Sequence, residues 1–187
     1  MPYIDQKLTY AAVEQRLADT VNPRHRLLLE RLLQHMRGEC EADLDAVMAT
    51  LAPHPVYRTW HGGPELNVEG TEAVRRFYIE QVFGKGRHVF EAPKYRIVVD
   101  DHAIITEGIS RMVMWGRDLM DAGATVDDPD AVYVYQVRIL IVWPYDEQGY
   151  LLGEEGWSAP VPTALEKLDD ADVPESFKSY LQTRLVQ

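Results

Sequence analysis

The chain is short of cysteine, of basic residues and of long apolar runs, and each shortage removes a class of protein. Cys40 is the sole cysteine of 187 residues, which excludes an intrachain disulfide and a thiolate metal cluster and fits a reducing, cytoplasmic setting. Nineteen Lys and Arg face thirty Asp and Glu, a net charge of −11, so polyanions are repelled and nucleic-acid binding is not expected. No apolar run is long enough to span a bilayer, and MPYIDQKLTY lacks the basic and apolar regions of a secretion signal, so neither a membrane protein nor an exported one is expected. Phosphate loops are missing too. Gly84, Lys85 and Gly86 lack Walker spacing, no dinucleotide fingerprint occurs, and no nucleophile elbow surrounds Ser110 or Ser158.

What remains is globular: 46% hydrophobic and 26% charged residues, in a length that suits one domain with a core and an internal pocket. Leu8, Ala12, Val13 and Leu17 give residues 5–20 the spacing of a first helix or arm. Asn22 caps a second helix with Pro23 at its first position, Leu28, Leu29, Leu32, Leu33 and Met36 form its apolar face, and Gly38 ends it. Asp43 opens a short third helix, closed by Pro53 and Pro55.

The most readable stretch follows, HPVYRTWHGGPELNVEGTEAVRRFYIEQVF from His54 to Phe83. Residues 56–61 read as a strand stopped by Gly62, Gly63 and Pro64. Gly70 and Thr71 then open a helix with Val74, Phe77, Tyr78 and Val82 as its stripe, ended by Gly84 and Gly86. Beyond it the period turns strand-like. Residues 88–99, interrupted by Pro93, pair across an Asp100–His102 turn with 103–115, residues 116–130 form a polar loop, and 131–143 and 150–157 make a second hairpin. The tail carries short helical stretches at 164–168 and 174–185.

Helices, then a strand and a helix, then two long hairpins describe an α+β protein with helices on one side of a strongly curved antiparallel sheet. This order, with GTEAVRRFY after VYRTW and the closing hairpin WPYDEQGYLLGEEGW, resembles the nuclear transport factor 2 superfamily, which includes polyketide-cyclase-like (SnoaL-like), steroid-isomerase, scytalone-dehydratase and limonene-epoxide-hydrolase families. The resemblance covers residues 22–158, leaving 1–21 as an N-terminal helical arm and 159–187 as a C-terminal helical tail. It implies a cone-shaped sheet with an apolar pocket in its mouth and a homodimer formed through the outer sheet face.

Alternation along the strands sorts their faces. Tyr133, Tyr135, Val137, Ile139, Ile141 and Trp143 form one apolar face, and Thr106, Gly108, Ser110, Met112 and Met114 share a face of the preceding strand; both are expected inside. Glu107, Arg111 and Arg138 are expected outside as an ion network. The superfamily's phase turns Tyr57, Thr59 and His61 inward. On the last strand it turns Leu152, Glu154 and Gly156 inward and Leu151, Glu155 and Trp157 outward, with a one-residue slip exchanging Glu154 for Glu155.

Glu154, Tyr57 and His61 are the expected acid–base set: a desolvated carboxylate, a phenol that steadies a developing enolate, and an imidazole that shuttles a proton. Thr59, Thr106, Ser110, Met112, Tyr133, Tyr135, Ile139 and Trp143 would line the substrate pocket. Each of the three has a plainer role open to it: Tyr57 as a core aromatic, His61 as a loop residue, Glu154 at a wet rim.

Family constellations are incomplete. Thr59 stands where the steroid isomerases carry their base aspartate, Leu32 and Ile139 where they carry tyrosine and acid. Of the epoxide-hydrolase set only Tyr57 is matched, with Thr59, Gly108, Ser110 and Gly156 at the remaining positions, and the polyketide cyclases' last-strand aspartate is missing too. His88 and His102, at strand ends, do not supply the paired histidines of scytalone dehydratase. His25 and His35 lie too far apart on their helix to share a metal, His35 reads as a helix-surface residue, and His54 and His61 lack a matched carboxylate, so neither metal nor cofactor is expected. Three functions stay open: a cofactor-free isomerase, dehydratase or cyclase acting on a small oxygenated apolar molecule, a non-catalytic binder of such a ligand, and a dimeric scaffold.

Overall fold

The longest helix carries the core. In a computed structural model that describes residues 3–60, 66–159 and 164–185, α2 (Pro23–Glu41) begins where Asn22 accepts hydrogen bonds from the Arg24 and His25 amides at 2.9 and 3.2 Å, with Pro23 supplying a preset φ. It runs past Gly38 to a left-handed cap at Ala42 (φ 53°). Leu28, Leu29, Leu32, Leu33 and Met36 are buried against the sheet, and the shorter helices α1 (Ala11–Ala18) and α3 (Leu44–Met48) add Val13 and Val47 to the same core. Fully burying such a leucine is worth about 1.5–3 kcal/mol, so this stripe is the main tie between helix and sheet.

Among the described residues eight strands form one curved sheet: β1 (Leu51–Trp60), β2 (Leu66–Glu69), β3 (Phe90–Glu91), β4 (Lys94–Val99), β5 (Ala103–Trp115), β6 (Val132–Pro144), β7 (Leu151–Ser158) and β8 (Ala164–Lys167). Their order is β2-β1-β7-β6-β5-β3, with β4 on β5 and β8 on β6. β5 and β6 pair without interruption from Ala103–Pro144 to Trp115–Val132. Every pairing is antiparallel except β1 with β7, which is parallel and places Tyr57 beside Glu154 and Arg58 beside Glu155. α2 packs on the face of this sheet that carries Ile104 and Trp143, which makes the α+β cone. The C-terminal helix covers part of the opposite face through Val113 and Val132, so the helices are not confined to one side as the element order implied.

Several local expectations change. β1 starts at Leu51 and takes both prolines into the strand, and β2 forms where a loop was expected. α4 (Thr71–Phe77) continues into a π-helical turn at Tyr78–Val82. The polar loop after β5 opens with a helix, α5 (Gly116–Asp121), which buries Leu119 against Met114 and Tyr133. Residues 164–167 are not helical. Ala, Leu, Glu and Lys are good helix formers, but β6 offers a free edge there, and β8 pairs with it from Tyr133–Lys167 to Gln136–Ala164. α6 (Glu175–Leu185) follows, and its Phe177 is fully buried beside Val113, Val132 and Ile4.

The last strand corrects one phase. Leu151 is fully buried and Leu152 is 40% exposed, the reverse of the expected assignment. Gly153 (φ +139°) pairs with Val56, and β7 carries one extra residue against β6 between the Tyr145–Leu151 and Val142–Glu155 pairs, so the strand turns Leu151 inward, resets, and turns Glu154 inward again. A Cβ on Gly153 would lie 1.8 Å from the Val56 carbonyl oxygen, which leaves glycine as the only residue that fits. Glu155 points outward to Arg58 at 3.1 Å. Glu107 likewise lies on the outer face, ion-paired with Arg96 and Arg138, while Arg111 pairs with Glu91.

Candidate active site

Tyr78, the first residue of the π-helical turn, holds the centre of a buried polar cluster. Its hydroxyl lies 3.0 Å from Glu39 Oε1, 3.1 Å from Glu154 Oε1, 3.2 Å from His35 Nε2 and 3.0 Å from the Tyr57 hydroxyl. A second contact ties His35 Nε2 to Glu154 Oε1 at 3.1 Å. Four elements contribute: α2 supplies His35 and Glu39 one turn apart, β1 supplies Tyr57, β7 supplies Glu154, and the turn after α4 supplies Tyr78. Of the expected catalytic set, Glu154 and Tyr57 are brought together through Tyr78, and His61 lies outside the described residues.

His35 is the largest departure from expectation. It is not on the helix surface but wholly buried, edge-on to Trp143 with ring centroids 5.8 Å apart. Its Nδ1 lies 2.7 Å from Thr50 Oγ1, and the Thr50 hydroxyl donates to the Val47 carbonyl at 2.6 Å. Thr50 therefore has only lone pairs to offer, Nδ1 carries the ring proton, and Nε2 faces the carboxylates.

Burial pulls the His35 pKa down, but the hydrogen bond to Glu154 and the charges of Glu39 and Glu154 outweigh it, and the net shift is upward. Burial and then the like charge of Glu154 push Glu39 up to about 7, against the pull of His35 and Tyr78. Both phenols are held well above their ordinary value, first by burial and then by the Glu154 charge, so they keep their protons and can donate them. Lys94 of β4 donates to the Ala92 carbonyl at 2.7 Å, and burial lowers its pKa to about 8 against the opposing charge of Glu39. Glu39 and Glu154 keep 16% and 19% of their side-chain surface exposed, so the cluster is not sealed from water.

The residues expected to line a pocket divide into groups. Trp143 donates to Thr106 at 2.9 Å, and both are buried with Ser110. Met112, Tyr133 and Tyr135 gather with Met114, Leu119 and Leu165 in a separate apolar cluster, where Tyr133 is bound to Asp127 and Asp128. Thr59 and Ile139 are half-buried. Two surface grooves, of about 530 and 540 Å³, lie elsewhere, one beside Asp128 and Val173 and one along Leu33 and Arg37, and neither includes the cluster.

Chemically, the cluster offers two carboxylates, an imidazole and two phenols within hydrogen-bond reach of one point. That composition can take a proton from carbon and return one to oxygen. Among the described residues, His35, Glu39 and Glu154 also present one ligand atom each within 4.8 Å of one another, which is the spacing of a metal-binding set.

No protein-family model and no curated protein sequence matches the chain. Solved structures do. A protein of Shewanella denitrificans described as a SnoaL-like polyketide cyclase is 11% identical with a TM-score of 0.57, over 83% of this chain and 97% of that one. A second such protein, of Shewanella putrefaciens, is 7% identical with a TM-score of 0.58 over 94% of each chain. An M. tuberculosis protein described as an LEH-like epoxide hydrolase is 17% identical with a TM-score of 0.53, over 88% of this chain and 98% of that one. At these identities the likeness is one of fold.

Proposed function

For a chain with the nuclear-transport-factor-2-like fold, a fold shared with cyclase- and epoxide-hydrolase-type proteins, we propose cofactor-independent general acid–base catalysis on a small oxygenated apolar molecule, of the isomerase, dehydratase or cyclase type. The observation that carries this reading is the convergence of Glu39, Glu154, His35 and Tyr57 on the Tyr78 hydroxyl at 3.0–3.2 Å. Glu154, with His35 behind it, takes a proton from the carbon beside a carbonyl. Tyr78, backed by Tyr57, donates to the oxygen on which charge develops. Glu39, still protonated near neutrality, returns a proton to carbon in an isomerisation or to a departing hydroxyl in a dehydration.

Thr106, Ser110, Ile139 and Trp143, with the apolar cluster of Met112, Tyr133 and Tyr135, are the residues this reading gives to substrate, and Thr59 and His61 belong to the same wall by strand phase. Trp157, 39% exposed and stacked on Trp60 at 4.4 Å, supports a homodimer through the outer sheet face, and the single buried cysteine supports a reducing, cytoplasmic setting.

The test is deuterium uptake. Small cyclic ketones and β-hydroxyketones are incubated with the protein in D2O, and label at the carbon next to the carbonyl is followed by mass spectrometry. Uptake that falls at least about 100-fold in Glu154→Gln and Tyr78→Phe supports the reading. Saturable quenching of tryptophan fluorescence by the same compounds, without exchange in any of them, replaces it with a non-catalytic binder.

A further inference from the structure

We propose that His35, Glu39 and Glu154 form a binding site for one divalent transition-metal ion of the zinc class. The proposal goes beyond the acid–base reading and does not rest on it. The warrant is geometric. His35 Nε2 stands 3.1 Å from Glu154 Oε1 and 3.9 Å from Glu39 Oε1. Ligand arms of about 2.0–2.2 Å meeting at a tetrahedral angle span edges of roughly 3.3–3.6 Å, between those two separations, so small carboxylate rotations would complete a coordination polyhedron. The Tyr78 hydroxyl, 3.0–3.2 Å from all three atoms, stands at the fourth corner, where a phenol or a water ligand would sit.

The shell behind the ligands is built as well. A metal-binding histidine commonly donates its second ring nitrogen to a fixed acceptor, which sets the tautomer and aims the lone pair at the ion. His35 does so through Thr50, itself locked by the Val47 carbonyl. Without an ion, His35 Nε2, Glu39 Oε1 and Glu154 Oε1 converge on the Tyr78 hydroxyl, an arrangement one cation would satisfy together. Two carboxylates and a neutral imidazole balance a charge of +2. One nitrogen with oxygens suits borderline ions such as Zn²⁺ or Co²⁺, and the harder Mn²⁺ through its carboxylates, and disfavours Cu(I), which wants thiolates. Cys40 does not join, because its thiol is directed to the Gln6 carbonyl at 3.9 Å.

The site links α2 to β7, so occupancy would raise stability. The full chain, stripped with chelator, is titrated with ZnCl2 by calorimetry and with CoCl2 by visible absorption, and its Tm is followed with each ion. The expected result is saturation at one ion per chain, cobalt d–d bands of a four- or five-coordinate site, and a rise in Tm. Glu39→Gln and Glu154→Gln, each first shown to be folded by circular dichroism, should weaken affinity at least about 10-fold, and Thr50→Val should weaken it by about the same factor through the histidine. Absence of saturable uptake of Zn²⁺, Mn²⁺ and Co²⁺ overturns the proposal. So does uptake that both glutamine variants leave unchanged, which would assign the ion to surface histidines. Deuterium exchange measured in chelator separates the two readings: exchange without metal uptake removes the metal site alone, and metal uptake without exchange removes the acid–base reading alone.

Discussion

His35 Nδ1 lies 2.7 Å from Thr50 Oγ1, and this bond decides which edge of the imidazole faces Glu154. Thr50→Val keeps the shape of residue 50 and removes its oxygen, leaving a fully buried N–H without a partner. The expected cost is about 1–3 kcal/mol in urea unfolding, largely recovered by Thr50→Ser. Equal stability of the valine variant would show that the Thr50 contact does not hold the ring.

Tyr78→Phe removes one oxygen that four side chains share. The ring still fills its place in the core, so the fold is expected to survive with a loss of about 1–2 kcal/mol. The two carboxylates lose the donor between them, and deuterium exchange should fall much further than it does in Tyr57→Phe, whose hydroxyl acts at one remove. Comparable losses in the two variants would count against a central role for Tyr78.

Gly153→Ala tests the bulge. The new methyl meets the Val56 carbonyl oxygen at 1.8 Å, at a φ of +139° that L residues rarely adopt. The backbone strain alone costs about 1–3 kcal/mol, and relief of the clash must part β7 from β1, which also moves Glu154 away from Tyr57. Thermal unfolding should show a large drop in Tm. A wild-type Tm would show that the bulge is not needed for the register.

Lys94 gives a pH signature. Burial lowers its pKa to about 8 in the folded protein, against an ordinary lysine value of 10.5. Between these values the unfolded chain holds a proton that the folded chain has released, so stability should rise with pH from about 8 toward 10. Below pH 8 both states are charged, and the burial penalty is carried in full. Lys94→Met removes the group, so unfolding free energies measured across this range should show the variant ahead at pH 7 and its lead shrinking as pH rises. A constant difference between the two proteins would place the ammonium in water. Tyrosine ionisation in the unfolded chain begins near pH 10, which is why the difference between the proteins, and not either curve, is read.

The polar cluster was half legible in the sequence. His35 and Glu39 fall seven residues after Leu28 and Leu32, on the apolar stripe of α2, and that placement was the available signal. It was masked because a lone histidine on a helix is often solvated, and because the partners that make burial tolerable, Thr50 and Glu154, come from other elements. Tyr78 was visible only as one apolar position of an amphipathic helix. Nothing local distinguishes a tyrosine buried for its ring from one whose hydroxyl meets residues 39 and 154. The superfamily's phase turns Glu154 inward, where it meets Tyr78, but reverses Leu151 and Leu152, since alternation assumes a regular strand and Gly153 breaks it.

By itself the sequence determined the order and type of the long elements, the N-terminal helix caps at Asn22 and Asp43 and the two faces of β5 and β6, because periodicity and capping act over a few residues. The resemblance of that order to a superfamily supplied the cone. Tertiary structure decided which polar groups meet. β8 became a strand because β6 had an edge to pair, the bulge at Gly153 set the phase of β7, and four polar side chains from three elements converged on the Tyr78 hydroxyl. Burying a charge or an imidazole is tolerated only with partners at hydrogen-bond distance, and that distance is fixed by the packing of the whole sheet against α2 and not by any segment alone.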